Sequence, residues 1–154
     1  MRANHQKIQF TGACLCGAIS FQFHLASIKM MYRCYCSLCR KQSGAASNAS
    51  TFVQAQSFQW LQGEPFIQTY IKDTGFISCF CKQCGSPVPN ALAINPKIMW
   101  IPLGLILEEF TPELELNFCT NSAVSWAKAS EMRVAFDELP DLVELENYFA
   151  MNKE

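Results

Sequence analysis

Blocks of like charge, long apolar runs and histidine are what this sequence has least of. Twelve lysines and arginines stand against 13 aspartates and glutamates, a formal net charge of −1, with no block of one sign. That balance gives no electrostatic ground for binding nucleic acid or an anionic membrane. The longest apolar run, Ile98 to Leu107, is interrupted by Pro102 and Gly104. It falls far short of the roughly 20 residues that a bilayer-spanning helix needs. The stretch from Met1 to Phe10 lacks the apolar core of a secretory signal peptide, so the expected compartment is the cytoplasm. Histidine occurs only as His5 and His24, neither of them close in sequence to the cysteine clusters.

Cysteine is the opposite case, with nine among 154 residues. An odd number excludes complete internal pairing, and a reducing compartment keeps thiols free, so metal binding is expected rather than a disulfide scaffold. Two clusters share the pattern Cys-x-Cys-x-x-Cys: Cys34, Cys36 and Cys39, then Cys79, Cys81 and Cys84. A tight Cys-x-x-Cys turn can aim two thiolates at one tetrahedral ion. An earlier pair, Cys14 and Cys16, supplies two more thiols.

A structural zinc takes four closed ligands, whereas a catalytic zinc commonly has three protein ligands and one exchangeable position. The simplest partition joins Cys14 and Cys16 to Cys81 and Cys84 as a closed four-thiolate site. Cys34, Cys36 and Cys39 remain as a three-thiolate set. By spacing alone three options stay open for that set: a zinc with a free position, a site closed by Cys79, Cys119 or a histidine, or no metal. Arg33, Arg40 and Lys41 crowd it and could hold a substrate carboxylate through charge-assisted hydrogen bonds; a solvated basic turn is the alternative. Cys119 reads as a buried core thiol and Trp126 as core packing.

The hydrophobic pattern is mostly period two, and half the residues are hydrophobic, as in an ordinary globular chain. Alternation predicts strands at Ile8 to Phe10, Ile19 to Phe23, and Ile28 to Cys34, the last running into the first large cluster. Ser50 to Leu61 looks extended. Gln68 to Ile71 and Phe76 to Cys81 form a predicted hairpin around Lys72-Asp73-Thr74-Gly75. Ile98 to Leu103, Leu114 to Phe118 and Met132 to Phe136 follow as strands, with Pro102 at the end of the first or at a bulge. Arg40 to Gly44 suits a turn or one helical turn closed by glycine. Pro140-Asp141 opens a predicted terminal helix with Leu142, Leu145 and Phe149 on one face. No linker or low-complexity tract divides the chain, so a single zinc-binding β domain over residues 1–154 is expected.

The chain resembles the family of glutathione-dependent formaldehyde-activating enzymes, the S-(hydroxymethyl)glutathione synthases, to which centromere protein V is related. The resemblance lies in Gly12-Ala-Cys14-Leu-Cys16-Gly17, Cys34-Tyr-Cys36-Ser-Leu-Cys39-Arg40-Lys41-Gln-Ser-Gly44, Gly63, Phe80-Cys81-Lys-Gln-Cys84-Gly85-Ser86-Pro87 and Pro102-Leu-Gly104. It covers roughly residues 10 to 140. It implies a mainly antiparallel β fold of the β-tent type with two zinc ions. Cys14, Cys16, Cys81 and Cys84 match the structural ligands, and Cys34, Cys36 and Cys39 the catalytic ones. It further implies a small-molecule thiol such as glutathione as partner and reversible condensation with formaldehyde, a carbon–sulfur lyase reaction in reverse. Tyr35 stands where the family usually places histidine, which removes a titratable group from the knuckle. The competing expectation is a non-catalytic zinc-binding interaction module or a thiol or metal sensor, since a scaffold does not fix a function.

Overall fold

Alternating aromatic residues near the amino terminus build the first layer. Strands β1 (Ile8–Ala13) and β2 (Ser20–Leu25) pair antiparallel, with Phe10 opposite Phe23, and β5 (Phe58–Gln62) adds to the other edge of β2. Phe10, Phe21 and Phe23 are buried on one face of this sheet while Gln9 and Gln22 alternate away from it. The Phe10 and Phe23 rings stack at 5.4 Å. This is the outcome that period-two patterning dictates for a half-buried sheet. The structure, a computed structural model, describes residues 6–127.

A second sheet has five strands in the order β10 (Leu114–Phe118), β3 (Met30–Cys34), β4 (Asn48–Gln54), β9 (Asn95–Pro102) and β8 (Asn90–Leu92). Its Val53, Met99 and Ile101 meet Phe10, Phe21 and Phe23 of the first sheet, so the main core lies between the two layers. Pairing is antiparallel except between β10 and β3, which run parallel. The third sheet is the hairpin β6 (Ile67–Ile71) and β7 (Ile77–Cys81). A smaller core, Cys14, Ile19, Cys79, Cys81 and Val88, joins that hairpin to the turn between β1 and β2.

The fold is mainly β, as the pattern predicts, and the hairpin turns at Lys72 to Gly75 as expected. Two expectations are refined. Ser50 to Leu61 is not one extended stretch: a 3-10 turn at Ala55–Ser57 sends β4 and β5 into different sheets. The Arg40–Gly44 turn belongs to a longer helix α1 (Ser37–Ser43), closed by Gly44 in the left-handed region. The predicted strand at Met132 to Phe136 and the terminal helix after Pro140 lie outside the described residues. Among the described residues, no helix is long and apolar enough to cross a membrane.

Candidate metal centres

Two turns from distant parts of the chain face each other to form the first centre. After β1, the Gly17 N–H donates to the Cys14 carbonyl at 2.9 Å, and Gly17 takes φ 75°, which tightens the Cys14–Cys16 turn. After β7, the Gly85 N–H donates to the Cys81 carbonyl at 2.7 Å with φ 77°. The Leu15 N–H donates to Ser86 Oγ at 2.9 Å and latches one turn onto the other. The sulfurs of Cys14, Cys16, Cys81 and Cys84 all lie within 4.8 Å of one another. Cys16 Sγ sits 3.6 Å from Cys14 Sγ and 3.8 Å from Cys81 Sγ. Thiolates at about 2.3 Å around a tetrahedral zinc would be separated by about 3.8 Å. The donor set and its spacing therefore fit a metal ion.

Electrostatics agree with that fit. The Ala18 N–H favours the Cys16 thiolate, but desolvation and the neighbouring sulfurs of Cys14, Cys84 and Cys81 push the thiol up to about 11. The Ser86 hydroxyl, 3.4 Å away, and its backbone pull Cys84 down to about 5. Four sulfurs this close would not all ionise unaided, and a bound dication would let them.

The second centre sits where β3 meets α1. Cys34 closes the strand, Cys36 is the N-cap of the helix, and Cys39 lies one turn in. The Cys39 N–H donates to Cys36 Sγ at 3.4 Å. All three sulfurs lie within 4.8 Å of one another, and no fourth histidine, cysteine or carboxylate joins them among the described residues. Cys34 and Cys39 are buried and Cys36 half-buried. Burial raises the Cys34 and Cys39 thiols. Burial also opposes the charge on Cys36, but the Cys39 N–H, the Cys39 and Cys34 thiols and the Leu38 N–H outweigh it and lower that thiol. The helix N-terminus thus favours the thiolate form of Cys36, the form that binds metal.

Helix α1 stands between two cavities. On one side is a recess of about 250 Å³ lined by Cys39, Tyr32, Phe52, Phe76 and Trp100, with Asn48 and Asn90. On the other is an open cleft of about 670 Å³ that includes Ser37, Lys41, Tyr70, Lys72, Ser78 and Phe80. Gln42 and Phe76 line both. Of the three basic residues singled out by the sequence, Lys41 lines the cleft, Arg40 Nε donates to the Tyr35 carbonyl at 3.2 Å, and Arg33 pairs with Glu115 at 3.0 Å. Arg33 neighbours Cys34 on a strand, so its side chain leaves from the opposite face of the sheet. The Tyr35 hydroxyl donates to Asn117 Oδ1 at 3.3 Å, and Tyr35 lines neither cavity.

Sequence reasoning missed Asn48, Asn90 and Lys72. A signal existed for Asn48: it alternates with Ser50, a polar pair on the buried face of a strand. Cys79 is buried in the smaller core, 3.3 Å from Thr69 Oγ1, and belongs to neither sulfur group. Cys119 and Trp126 differ from expectation, for both are exposed, Trp126 by 69%. Cys119 takes a left-handed φ of 57° where β10, at the edge of its sheet among the described residues, gives way to 3-10 turns at Thr120–Ser122 and Ser125–Ala127.

Comparison with known proteins adds two findings. Residues 9–122 match the family model described as "Glutathione-dependent formaldehyde-activating enzyme". A crystal structure of a Rhodobacter sphaeroides protein is similar with a TM-score of 0.56 and 22% identity, covering 69% of this chain and 98% of that one. At that identity the likeness concerns the fold.

Proposed function

Because the chain belongs to the glutathione-dependent formaldehyde-activating enzyme family, we propose that it catalyses reversible addition of a thiol, glutathione or a close analogue, to formaldehyde or a related aldehyde. The observation that carries this reading is the contrast between the two sulfur groups: four cysteines in one, three in the other. A four-thiolate set is complete as a structural zinc site, and a three-thiolate set leaves one position for a reactant. We assign Cys14, Cys16, Cys81 and Cys84 to the first role and Cys34, Cys36 and Cys39 to the second. When bound there, zinc would supply Lewis acidity toward a carbonyl oxygen or a low-pKa environment for a substrate thiol.

The chain's own residues supply binding and position. A glutathione-sized molecule exceeds the 250 Å³ recess but suits the 670 Å³ cleft. Lys41 and Lys72 line that cleft and would receive its carboxylates. Lys41 and Cys39 lie on the same short helix, Lys41 lining the cleft and Cys39 the recess, so a peptide held by Lys41 would have to carry its sulfur around α1, past Gln42 and Phe76, to meet the knuckle. Addition needs no oxidant: the carbon–sulfur bond forms, the carbonyl π pair moves to oxygen, and the thiol proton ends on that oxygen. With Tyr35 in its knuckle, this chain would route that proton through solvent or substrate, there being no histidine at this position.

The deciding experiment is exchange spectroscopy of formaldehyde with glutathione, with and without the zinc-loaded protein. Acceleration that Cys36→Ser abolishes supports the reading. No acceleration, with both zinc sites filled, overturns it in favour of a zinc-built interaction module or a sensor.

A further inference from the structure

The recess beside Cys39 is larger and more aromatic than formaldehyde needs. Its volume is about 250 Å³, whereas a cavity of about 150 Å³ already holds benzene. Tyr32, Phe52, Phe76 and Trp100 form its walls, and Tyr32 stacks on Phe52 at 4.9 Å. Formaldehyde has two heavy atoms and would leave nearly all of that space unfilled. A single ring or branched alkyl group with one or two substituents would fill it.

Two carboxamides line the recess from separate strands, Asn48 on β4 and Asn90 on β8. Asn48 Nδ2 donates to Gln42 Oε1 at 3.4 Å, and Asn90 Nδ2 to the Ala91 carbonyl at 3.0 Å. That leaves Asn48 Oδ1 and Asn90 Oδ1, both enclosed and without a hydrogen-bond partner among the described residues. Asn48 is 8% exposed. An enclosed carbonyl oxygen without a donor costs about 1–3 kcal/mol. The terminal torsion of asparagine is broad, so a small turn of the carboxamide toward a ligand O–H or N–H recovers that cost. An apolar recess lined by two carboxamides, each of whose oxygens a turn about the terminal torsion could expose to it, suits a molecule that is mostly hydrocarbon and carries a donor.

We propose that this recess is the carbonyl-side subsite, taking an aryl or branched-alkyl aldehyde in place of formaldehyde, with Asn48 and Asn90 as its specificity-determining residues. The proposal rests on the reading of Cys34, Cys36 and Cys39 as the reacting centre. The thiol sulfur, arriving from the cleft side of α1, bonds to the aldehyde carbon. The π pair and the thiol proton make a hydroxyl on that carbon, and this hydroxyl is the donor that Asn48 Oδ1 receives. The hydrocarbon part remains among the four aromatic rings. Gln42 and Phe76, which line both cavities, mark the place where the two halves of the adduct meet.

The test measures calorimetric binding of three probes to the zinc-loaded full chain. Benzyl alcohol carries a ring and a donor, toluene the ring alone, and methanol the donor alone. Benzyl alcohol is expected to bind at least tenfold more tightly than toluene, with methanol undetectable. Asn48→Leu should erase that preference while toluene still binds. Should Asn48→Leu fail to fold, Ala93→Phe fills the recess from an exposed position and should abolish binding of both ring compounds. Equal affinity for benzyl alcohol and toluene, or binding of neither, overturns the proposal. So does undiminished binding in Ala93→Phe. The exchange assay with benzaldehyde and formaldehyde separates this from the parent reading. Exchange of formaldehyde without selective ring binding sinks only the subsite, whereas selective binding with exchange of neither aldehyde sinks the reacting centre.

Discussion

Gln42 Nε2 donates to Ser78 Oγ at 3.2 Å, tying the helix that carries Cys39 to the hairpin that carries Cys81. The same side chain accepts from Asn48 Nδ2 at 3.4 Å, so one glutamine links the elements that carry the two cysteine groups and lines both cavities.

Replacing Gln42 by alanine removes both bonds from a partly buried position. The expected loss is about 1–2 kcal/mol of stability, with faster amide exchange in α1. Denaturant unfolding and hydrogen exchange check it. Unchanged protection of the α1 amides would show that the brace contributes nothing.

The two centres should respond differently to loss of one sulfur. Metal analysis is expected to find two zinc ions per chain. Cys36→Ser should keep one of them and the native circular dichroism while turnover vanishes. Serine can replace Cys36 as the N-cap that accepts the Cys39 N–H, so α1 survives. Cys81→Ser breaks the clasp between residues far apart in the chain, and structural zinc sites are worth on the order of 10–16 kcal/mol in small domains. That variant should unfold. Global unfolding of Cys36→Ser would defeat the division of roles.

Two glycines give a matched pair. Gly63 has φ 85°, and a Cβ there would overlap the Ala18 carbonyl oxygen, beside the Cys16 turn. Gly104 has open space and no such backbone requirement. Gly63→Ala is expected to cost more than about 3 kcal/mol, and Gly104→Ala less than about 1. Thermal unfolding of both variants decides. Equal melting temperatures would be the contrary result.

Glu108 gives a pH dependence away from the cysteines. Burial disfavours its charge, but the Thr11 hydroxyl and the Thr11 N–H, at 2.7 Å, outweigh burial and lower the carboxyl below its ordinary value. A depressed folded pKa contributes stability above the unfolded carboxyl pKa, and that contribution fades as pH falls through the folded value. Glu108→Gln should therefore be less stable than the parent by about 1 kcal/mol at neutral pH, a low figure because the group is half-exposed. The gap should close in acid. Urea titrations of both proteins from pH 7 to pH 3 measure it, and a gap independent of pH would contradict the assignment.

Much of the fold was legible because its cause is local. The β6–β7 hairpin follows from two alternating runs around Lys72 to Gly75, and the buried Phe21 and Phe23 follow from the same rule. The division of seven cysteines into four and three followed from counting ligands, and the sulfur distances agree with it. What escaped has no local cause. Asn90–Leu92 is too short to announce itself, and it becomes a strand only because β9 lies alongside. The parallel pairing of β10 with β3 joins segments more than 80 residues apart. Cys119 looks like a core thiol by residue type, but it follows the last strand with a left-handed backbone and is exposed among the described residues.

By itself, the sequence determined much of the strand pattern, the thiol inventory and the simplest grouping of its cysteines, since periodicity and Cys-x-x-Cys turns act over a few residues. Only the tertiary structure decided what surrounds the three-cysteine knuckle. Arg33 is drawn to Glu115 on a neighbouring strand, Lys72 arrives from the hairpin to join Lys41, and Asn48 and Asn90 line one aromatic recess from strands on either side of β9. Those neighbours come from strands distant in the chain, and side-chain packing between sheets is a property of their register that no single segment carries.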